Sequence, residues 1–154
     1  SIYPAENETT GEASYRRLPP CFPSMKHLLS EEPDMPYLLL IVEPRGQRAA
    51  VPQEIAHRRY DAMMEFSGAL QREGVLLRAE SLRPDDHAVR VSRRAPESRP
   101  LLVDGPFAEA KEMVGGFFLI DVASRDAAVA IAERCPAVDF ATVEVRECAP
   151  CHVL

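Results

Sequence analysis

The sequence predicts an α+β protein, a two-layer sandwich in which two helices lie on one face of a mixed sheet. The apolar segments follow the order β–α–β–β–(β)–β–α–β, which is typical of a ferredoxin-like fold. Two helices cover only one face of such a sheet, so the other face has to be wet or covered. The number of apolar strand residues favours a homodimer, in which a second copy covers it.

The first strand and the first helix carry the clearest pattern. Residues 37–42, YLLLIV, form a continuous apolar run, which is typical of a central strand buried on both faces. Residues 53–73 place apolar side chains on one helical stripe, with charged side chains opposite. Pro52 near the start and Gly74 just past the end are the residues expected at the two ends of a helix.

The later apolar segments predict the remaining strands and the second helix. Ser124 is placed to cap that helix, which contains Ile131 and ends at Pro136. The segment at 88–93 alternates in polarity, so we expect one of its faces to be wet. The predicted strands are residues 75–82, 88–93, 101–103, 117–122 and 141–146.

Composition limits the classes of protein that this chain can be. Its 154 residues suit one folded domain, and a net charge of −6 argues against a nucleic-acid-binding surface. No apolar run is long enough to span a bilayer or to form a secretory leader. We therefore expect a cytoplasmic protein with reduced thiols and without nucleic-acid or membrane partners.

The two ends of the chain differ from its centre. Residues 1–34 hold five of the fourteen prolines and show no sustained periodicity. Such a stretch buries little apolar surface against its ordering entropy, so we expect an irregular or disordered extension. The folded domain is expected at residues 35–148, followed by a frayed tail at 149–154.

Residues 104–116, DGPFAEAKEMVGG, are the most unusual connector in the chain. Asp, Gly and Pro favour a sharp turn, and the charged residues that follow are expected on one short helical turn. On such a turn Glu109 and Glu112 share a face, and Lys111 points elsewhere. Gly115 and Gly116 predict a β-bulge or a close backbone approach.

Asp104 is the candidate catalytic residue of this block. In the functional hypothesis its carboxylate faces a cleft as a general base, Lys111 contacts a ligand anion, and Glu109 and Glu112 shape the site. In the structural alternative Asp104 accepts N–H bonds from its own turn, and the other charges are simply solvated.

Two further residues have a binding and a structural interpretation. Phe107 stacks on a ligand or, more commonly, fills a core or an interface. Arg146 shares one face of the last strand with Glu144, where the two residues line a cleft or form an exposed pair.

The segments YLLLIVEP, QREGVLL, VDGPFAEAKEMVGGFFLIDV and VEVRE resemble the DGPF branch of the YCII-related proteins, over about residues 35–148. The resemblance implies a dimeric ferredoxin-like fold with a cleft between subunits. Genes of this branch often lie next to genes for extracytoplasmic-function sigma factors, and the resemblance implies the same neighbourhood here. The role of most members is unknown, and the wider family is regarded as enzyme-like because of a His–Asp pair in that cleft.

That His–Asp pair is absent from this sequence. Met63 stands at the histidine position, counted back from Gly74, and Cys135 before Pro136 stands at the aspartate position. Met63 cannot act as a general base, and Cys135 is a poor substitute if its thiol is buried and neutral. Any chemistry must therefore use other groups.

Two functional hypotheses remain open. In the first, the protein performs acid–base chemistry, such as elimination or isomerisation, on a small polar or aromatic metabolite. In the second, it is a non-catalytic small-molecule sensor or an accessory partner in a sigma-factor circuit. A buried Asp104 in an enclosed cleft would favour the enzyme, and a solvated Asp104 would favour binding.

We expect no metal and no cofactor. The histidines lack partners at metal-ligand spacing. The CAPCH sequence at 148–152 has the spacing of covalent haem attachment, but it lies at the chain end without an exported context, so we interpret it as a chance match.

Overall fold

The structure is a computed structural model that describes residues 35–150. The expectations for residues 1–34, for the end of the tail and for the complete CAPCH sequence lie outside these described residues. The helices and strands are β1 (Tyr37–Pro44), α1 (Gln47–Ala50), α2 (Gln53–Arg72), β2 (Leu76–Ser81), β3 (Val89–Ser92), β4 (Leu101–Asp104), β5 (Glu112–Ile120), α3 (Arg125–Glu133) and β6 (Thr142–Glu147), with 3-10 turns at Asp85–His87 and Pro136–Asp139.

A four-stranded sheet in the order β2-β5-β1-β6 forms one layer of the α+β fold. Its three ladders are all antiparallel, so the prediction of a mixed sheet is wrong. The physical reason is the connectivity. Each long helix connects two strands that run parallel to each other, but a third, antiparallel strand lies between these two in the sheet. The two parallel strands therefore never pair directly. The order and connectivity are compatible with a ferredoxin-like fold.

The core lies between this sheet and the helices. Burial alternates along β1, where Leu39 is fully buried and its neighbours Leu38 and Leu40 are half-buried. Within this chain only one face of β1 is therefore buried, whereas the sequence predicted burial on both. The ring of Phe66 on α2 packs edge-on against Phe118 on β5, with centroids 5.3 Å apart.

The helix ends follow the predicted signals. Gly74 adopts a positive φ of 74° just after α2, a conformation that glycine accommodates without strain. The Ser124 hydroxyl accepts a hydrogen bond from the Ala127 N–H at 3.2 Å and so caps α3 as predicted. None of the helices within residues 35–150 is long and apolar enough to cross a membrane.

Strand β5 begins at Glu112, earlier than the sequence predicts, so Gly115 and Gly116 lie inside a strand. Ile41 pairs with Gly116 and Val42 pairs with Val114, which leaves Gly115 as the extra residue of a bulge. A Cβ at Gly116 would lie 2.7 Å from the Glu80 carbonyl oxygen. Both the predicted bulge and the predicted close approach are thus confirmed.

The early start of β5 also corrects the expected helical turn. Glu112 lies in the strand and Glu109 lies in the turn before it, so the two do not share a helical face. Strand pairing with Pro44 on β1 takes Glu112 into the sheet. The pairing partner is distant in sequence, and local spacing therefore could not reveal it.

Strands β3 and β4, which follow β2 and precede β5 along the chain, form a separate two-stranded sheet. All eight of their residues are exposed, including Val91 and Leu102. The expectation that β3 has one wet face is therefore wrong, because both of its faces are exposed within this chain.

One ion pair joins the ends of the two long helices. Two guanidinium nitrogens of Arg134, just after α3, donate to the two carboxylate oxygens of Glu73, just after α2, at 3.1 and 3.0 Å. Hydrogen bonding from Arg134 holds the pKa of Glu73 below its ordinary value of 4.5. The pair therefore stabilises the fold above that pH, and the stabilisation is lost as pH falls through the lowered pKa.

We predict that Glu73→Gln lowers the urea midpoint at about pH 7, with the difference from wild type shrinking towards about pH 3. Glu54→Gln is the matched control, because within residues 35–150 the ion pair of Glu54 is an exposed one with Arg58 at 3.9 Å. Urea titrations at both pH values check the prediction. An equal destabilisation by Glu73→Gln at the two pH values would contradict it.

Candidate functional site: two cavities beside the glycine bulge

A cavity of about 560 Å³ lies between α2 and the sheet, beside the end of β1. We call it the helix-side cavity. Gly115 and Gly116 contribute no side chains to its sheet wall, which leaves room beneath the helix. Its polar lining includes Glu43, Gln47, Arg48 and Arg59, and its apolar lining includes Ile41, Val51, Met63, Met64, Phe118 and Phe140.

An ion pair between Glu43 and Arg48 forms the polar end of the helix-side cavity. Glu43 is only 5% exposed, and its Oε1 lies 2.6 Å from Arg48 Nε. The other Arg48 nitrogens donate to the carbonyl oxygens of Leu82 at 2.6 Å and Gly115 at 2.9 Å. Arg48 therefore connects α1 to β1, to the end of β2 and to β5, and its charge compensates a buried carboxylate.

Phe140 closes another part of the wall. The Gln47 amide nitrogen donates to the Phe140 carbonyl oxygen at 2.7 Å. The guanidinium carbon of Arg59 lies 4.3 Å from the centroid of the Phe140 ring. These two contacts fix the 3-10 turn that precedes β6 against α1 and α2.

A second cavity of about 500 Å³ lies where residues 104–111 meet the start of β5, and we call it the block-side cavity. Phe107 and Glu112 both line it. Phe107 is buried beneath Arg90, whose guanidinium carbon lies 3.7 Å from the ring centroid. Arg90 also forms an ion pair with Glu109. The pKa of Glu109 is lowered by its own backbone N–H and then by hydrogen bonding from Arg90.

Arg45 and Asp85 hold residues 104–111 in place. Arg45 Nε lies 2.8 Å from an Asp85 oxygen that also accepts the Phe107 N–H at 3.3 Å. The Arg45 guanidinium donates to the Ala110 carbonyl oxygen at 3.3 Å. Asp85, rather than Asp104, therefore accepts the backbone hydrogen bond of this turn.

The structure does not bring all the predicted site residues together. Asp104 lies at the exposed end of β4 opposite Val89, and within residues 35–150 its carboxylate has no hydrogen bond or ion pair. Lys111 is also exposed. Asp104, Lys111 and Glu109 line neither of the two cavities. Only Phe107 and Glu112 share a cavity, and Glu109 is linked to Phe107 through Arg90.

Arg146 lies on the face of the sheet that is turned away from the helices, which we call the open face. Its Nε is 3.7 Å from Glu144 Oε1, and both side chains are exposed. The pair thus has the geometry of the structural alternative, and Arg146 lines neither cavity.

Sequence reasoning missed Glu43, Arg48 and Arg59. The signal for Glu43 is its position, because it continues the alternation of Tyr37, Leu39 and Ile41 towards the core. That signal is masked when β1 is interpreted as buried on both faces. Arg48 lies in the unpredicted helix α1, and Arg59 resembles any charged residue of an amphipathic helix.

Comparison with known proteins identifies the family. The YCII-related domain matches residues 35–151, which is most of the chain. The chain belongs to the YCII-related family. No curated protein matches it. The match is to the family as a whole, and assignment to the DGPF branch stays a prediction.

In this YCII-related domain the residues at the two positions that the resemblance assigned to a His–Asp pair differ in character. Met63 is partly buried and lines the helix-side cavity. Cys135 is fully buried, and burial raises the pKa of its thiol. Among residues 35–150 no three His, Cys, Asp or Glu side chains come together as metal ligands would.

We predict that Gly105→Ala destabilises the protein by about 1–3 kcal/mol, because the new Cβ overpacks the turn. That Cβ would lie 1.7 Å from the Asp85 carbonyl oxygen. The matched control is Gly68→Ala in α2, where the nearest atom is the flexible tip of Arg72 at 3.3 Å. Alanine there is expected to be neutral or to stabilise by up to about 1 kcal/mol.

Urea denaturation of the two variants measures this difference. Equal stability of Gly105→Ala and wild type would show that the turn relaxes around a Cβ. In that case residues 104–111 are not held as closely as the contacts with Asp85 indicate.

Proposed function

We propose that this YCII-related protein binds a small molecule in the helix-side cavity and does not transform it. The observation that supports this proposal is the cavity itself, whose volume of about 560 Å³ suits a small ligand. Its lining is mainly apolar, and its buried Glu43 carboxylate is already held by Arg48. A site with fixed polar groups and an apolar wall binds and orients a ligand without needing a reactive group.

The positions of Asp104 and Met63 favour binding over acid–base catalysis. A general base must come within hydrogen-bond reach of the proton that it abstracts. Asp104 is exposed and lines neither cavity. Met63 lines the helix-side cavity, but its thioether cannot exchange a proton at neutral pH. A binding domain of this kind suits a sensor or accessory partner in an extracytoplasmic-function sigma-factor circuit, and the gene neighbourhood that the family resemblance implies is the ground for proposing that circuit.

A thermal-shift metabolite screen on the full chain tests the proposal. A compound at about one hundred times its Kd should add about 2.7 kcal/mol of stability and raise the Tm by several degrees. Ala56→Trp, which fills the cavity from α2, should abolish the shift. Ala130→Trp, a matched substitution at an exposed position of α3, and Asp104→Ala should both retain it.

The screen also separates the two hypotheses. A shift that is lost in Asp104→Ala and kept in Ala56→Trp would place the ligand at residues 104–116 and overturn the proposal. Mass spectrometry of each stabilising compound after incubation with wild type should show no new product. Turnover that depends on the protein would instead favour an enzyme.

We further propose that a second copy of the chain covers the open face. Two cross-strand rows on this face have half-buried apolar residues in the middle and charged residues at both edges. An apolar centre with a charged rim is the usual composition of a protein interface. The first row is Arg78, Leu119, Leu38 and Arg146, and the second is Glu80, Phe117, Leu40 and Glu144.

Leu40→Lys is expected to disrupt this dimer, because it places a charge at the centre of the apolar patch. Lysine there faces Glu144 across the ladder, so the protomer itself should stay folded. Light scattering should give twice 17.1 kDa for wild type and 17.1 kDa for the variant. Leu102→Lys on β4 is the control and should remain dimeric. A monomeric wild type would contradict the proposal.

A further inference from the structure

The charged residues that line the helix-side cavity are paired, with one exception. Arg48 lies against Glu43, whereas Glu80 lines the cavity with its backbone, and its carboxylate on the open face accepts a hydrogen bond from Arg78 at 2.8 Å. Arg59 lies over the Phe140 ring, and among residues 35–150 it has no acidic partner. Among the described lining residues, the half-buried guanidinium of Arg59 is therefore the group that gives the cavity an excess positive charge.

Arg59 donates no hydrogen bond to another residue within 35–150, so its N–H donors are available to an anion. A cation–π contact uses the charge of the guanidinium and requires none of its five N–H groups as a hydrogen-bond donor. These donors match the two oxygens of a carboxylate, and the flat fork binds such a group more specifically than an ammonium would. Contact with Phe140 also orients the side chain, so less conformational entropy is lost when a ligand binds.

The rest of the cavity lining favours a ligand with an apolar body next to the carboxylate that binds Arg59. Met63 lies one helical turn after Arg59 on α2, so the two side chains are neighbours on one helix face. Ile41 and Phe118 lie on the sheet wall beneath. A second anionic group on the ligand would find no second unpaired cation among the described lining residues, and its desolvation would oppose binding.

We propose that the helix-side cavity takes an amphipathic monocarboxylate, whose carboxylate binds Arg59 and whose apolar body lies against Met63 and Phe118. This inference rests on the proposed binding function and adds the chemical class of the ligand. It also moves the anion contact from Lys111, where the sequence predicted it, to Arg59.

The test uses two probes with the same eight-carbon chain, octanoate and 1-octanol. The full chain is first loaded with the uncharged fluorescent dye N-phenyl-1-naphthylamine, and each probe is titrated in to displace the dye. For wild type at neutral pH, octanoate should compete at least about tenfold more strongly than 1-octanol, the ratio expected of a charge-assisted hydrogen bond.

Arg59→Gln should remove this preference and leave displacement by 1-octanol unchanged, since only the carboxylate contacts the guanidinium. Arg58→Gln is the matched control, because it removes the same charge from the next residue of α2. Arg58 is exposed, lies 3.9 Å from Glu54 and does not line the cavity. It should keep the preference for octanoate.

The outcomes test the ligand class separately from the proposed binding function on which it rests. If 1-octanol competes as well as octanoate, or if Arg59→Gln keeps the preference, the monocarboxylate class is overturned while binding in the cavity stands. If the dye does not bind wild type, or binds Ala56→Trp equally well, binding in the cavity is overturned and the inference fails with it.

Discussion

A carboxylate buried at the end of the central strand needs a compensating charge, and this requirement organises the structure around the helix-side cavity. Glu43 meets it with Arg48, which also binds the carbonyl oxygens at the end of β2 and at the β5 bulge. A Cβ at Gly115 would lie 2.7 Å from both partners, so the pair requires a residue without a side chain there. The same glycines leave the space beneath α2 in which we place the ligand.

Features that depend on near neighbours could be predicted from the sequence. The order of elements, the Ser124 cap and the positive φ at Gly74 each follow from residues a few positions apart. The antiparallel sheet and the early start of β5 depend on which strands become neighbours. Hydrophobic patterns do not encode strand order, and the expectations of a mixed sheet and a helical turn failed for that reason.

The candidate site also combines features that near neighbours determine with features that depend on residues distant in sequence. The sequence of residues 104–116 predicts a specialised turn. The residues that hold this turn, Arg45 and Asp85, lie far from it in the chain. Arg90 is part of an apparent surface patch in the sequence and lies over Phe107 in the structure. The residues of the helix-side cavity come from β1, β2, β5, the helices α1 and α2 and the turn before β6, so no local motif contains them. When two charged residues pair across a long stretch of sequence, only the folded structure shows that they are partners.

The hairpin of β3 and β4 has a consequence for how the molecule opens. Its backbone ladder joins two strands that, in the described part of the chain, pair only with each other, and such a ribbon is marginal by itself in water. Its amide protons should therefore exchange with solvent through local openings that cost less free energy than openings of β1, which is bonded on both sides. The hairpin itself can then open on a faster timescale than the central sheet, which remains closed beside the helix-side cavity.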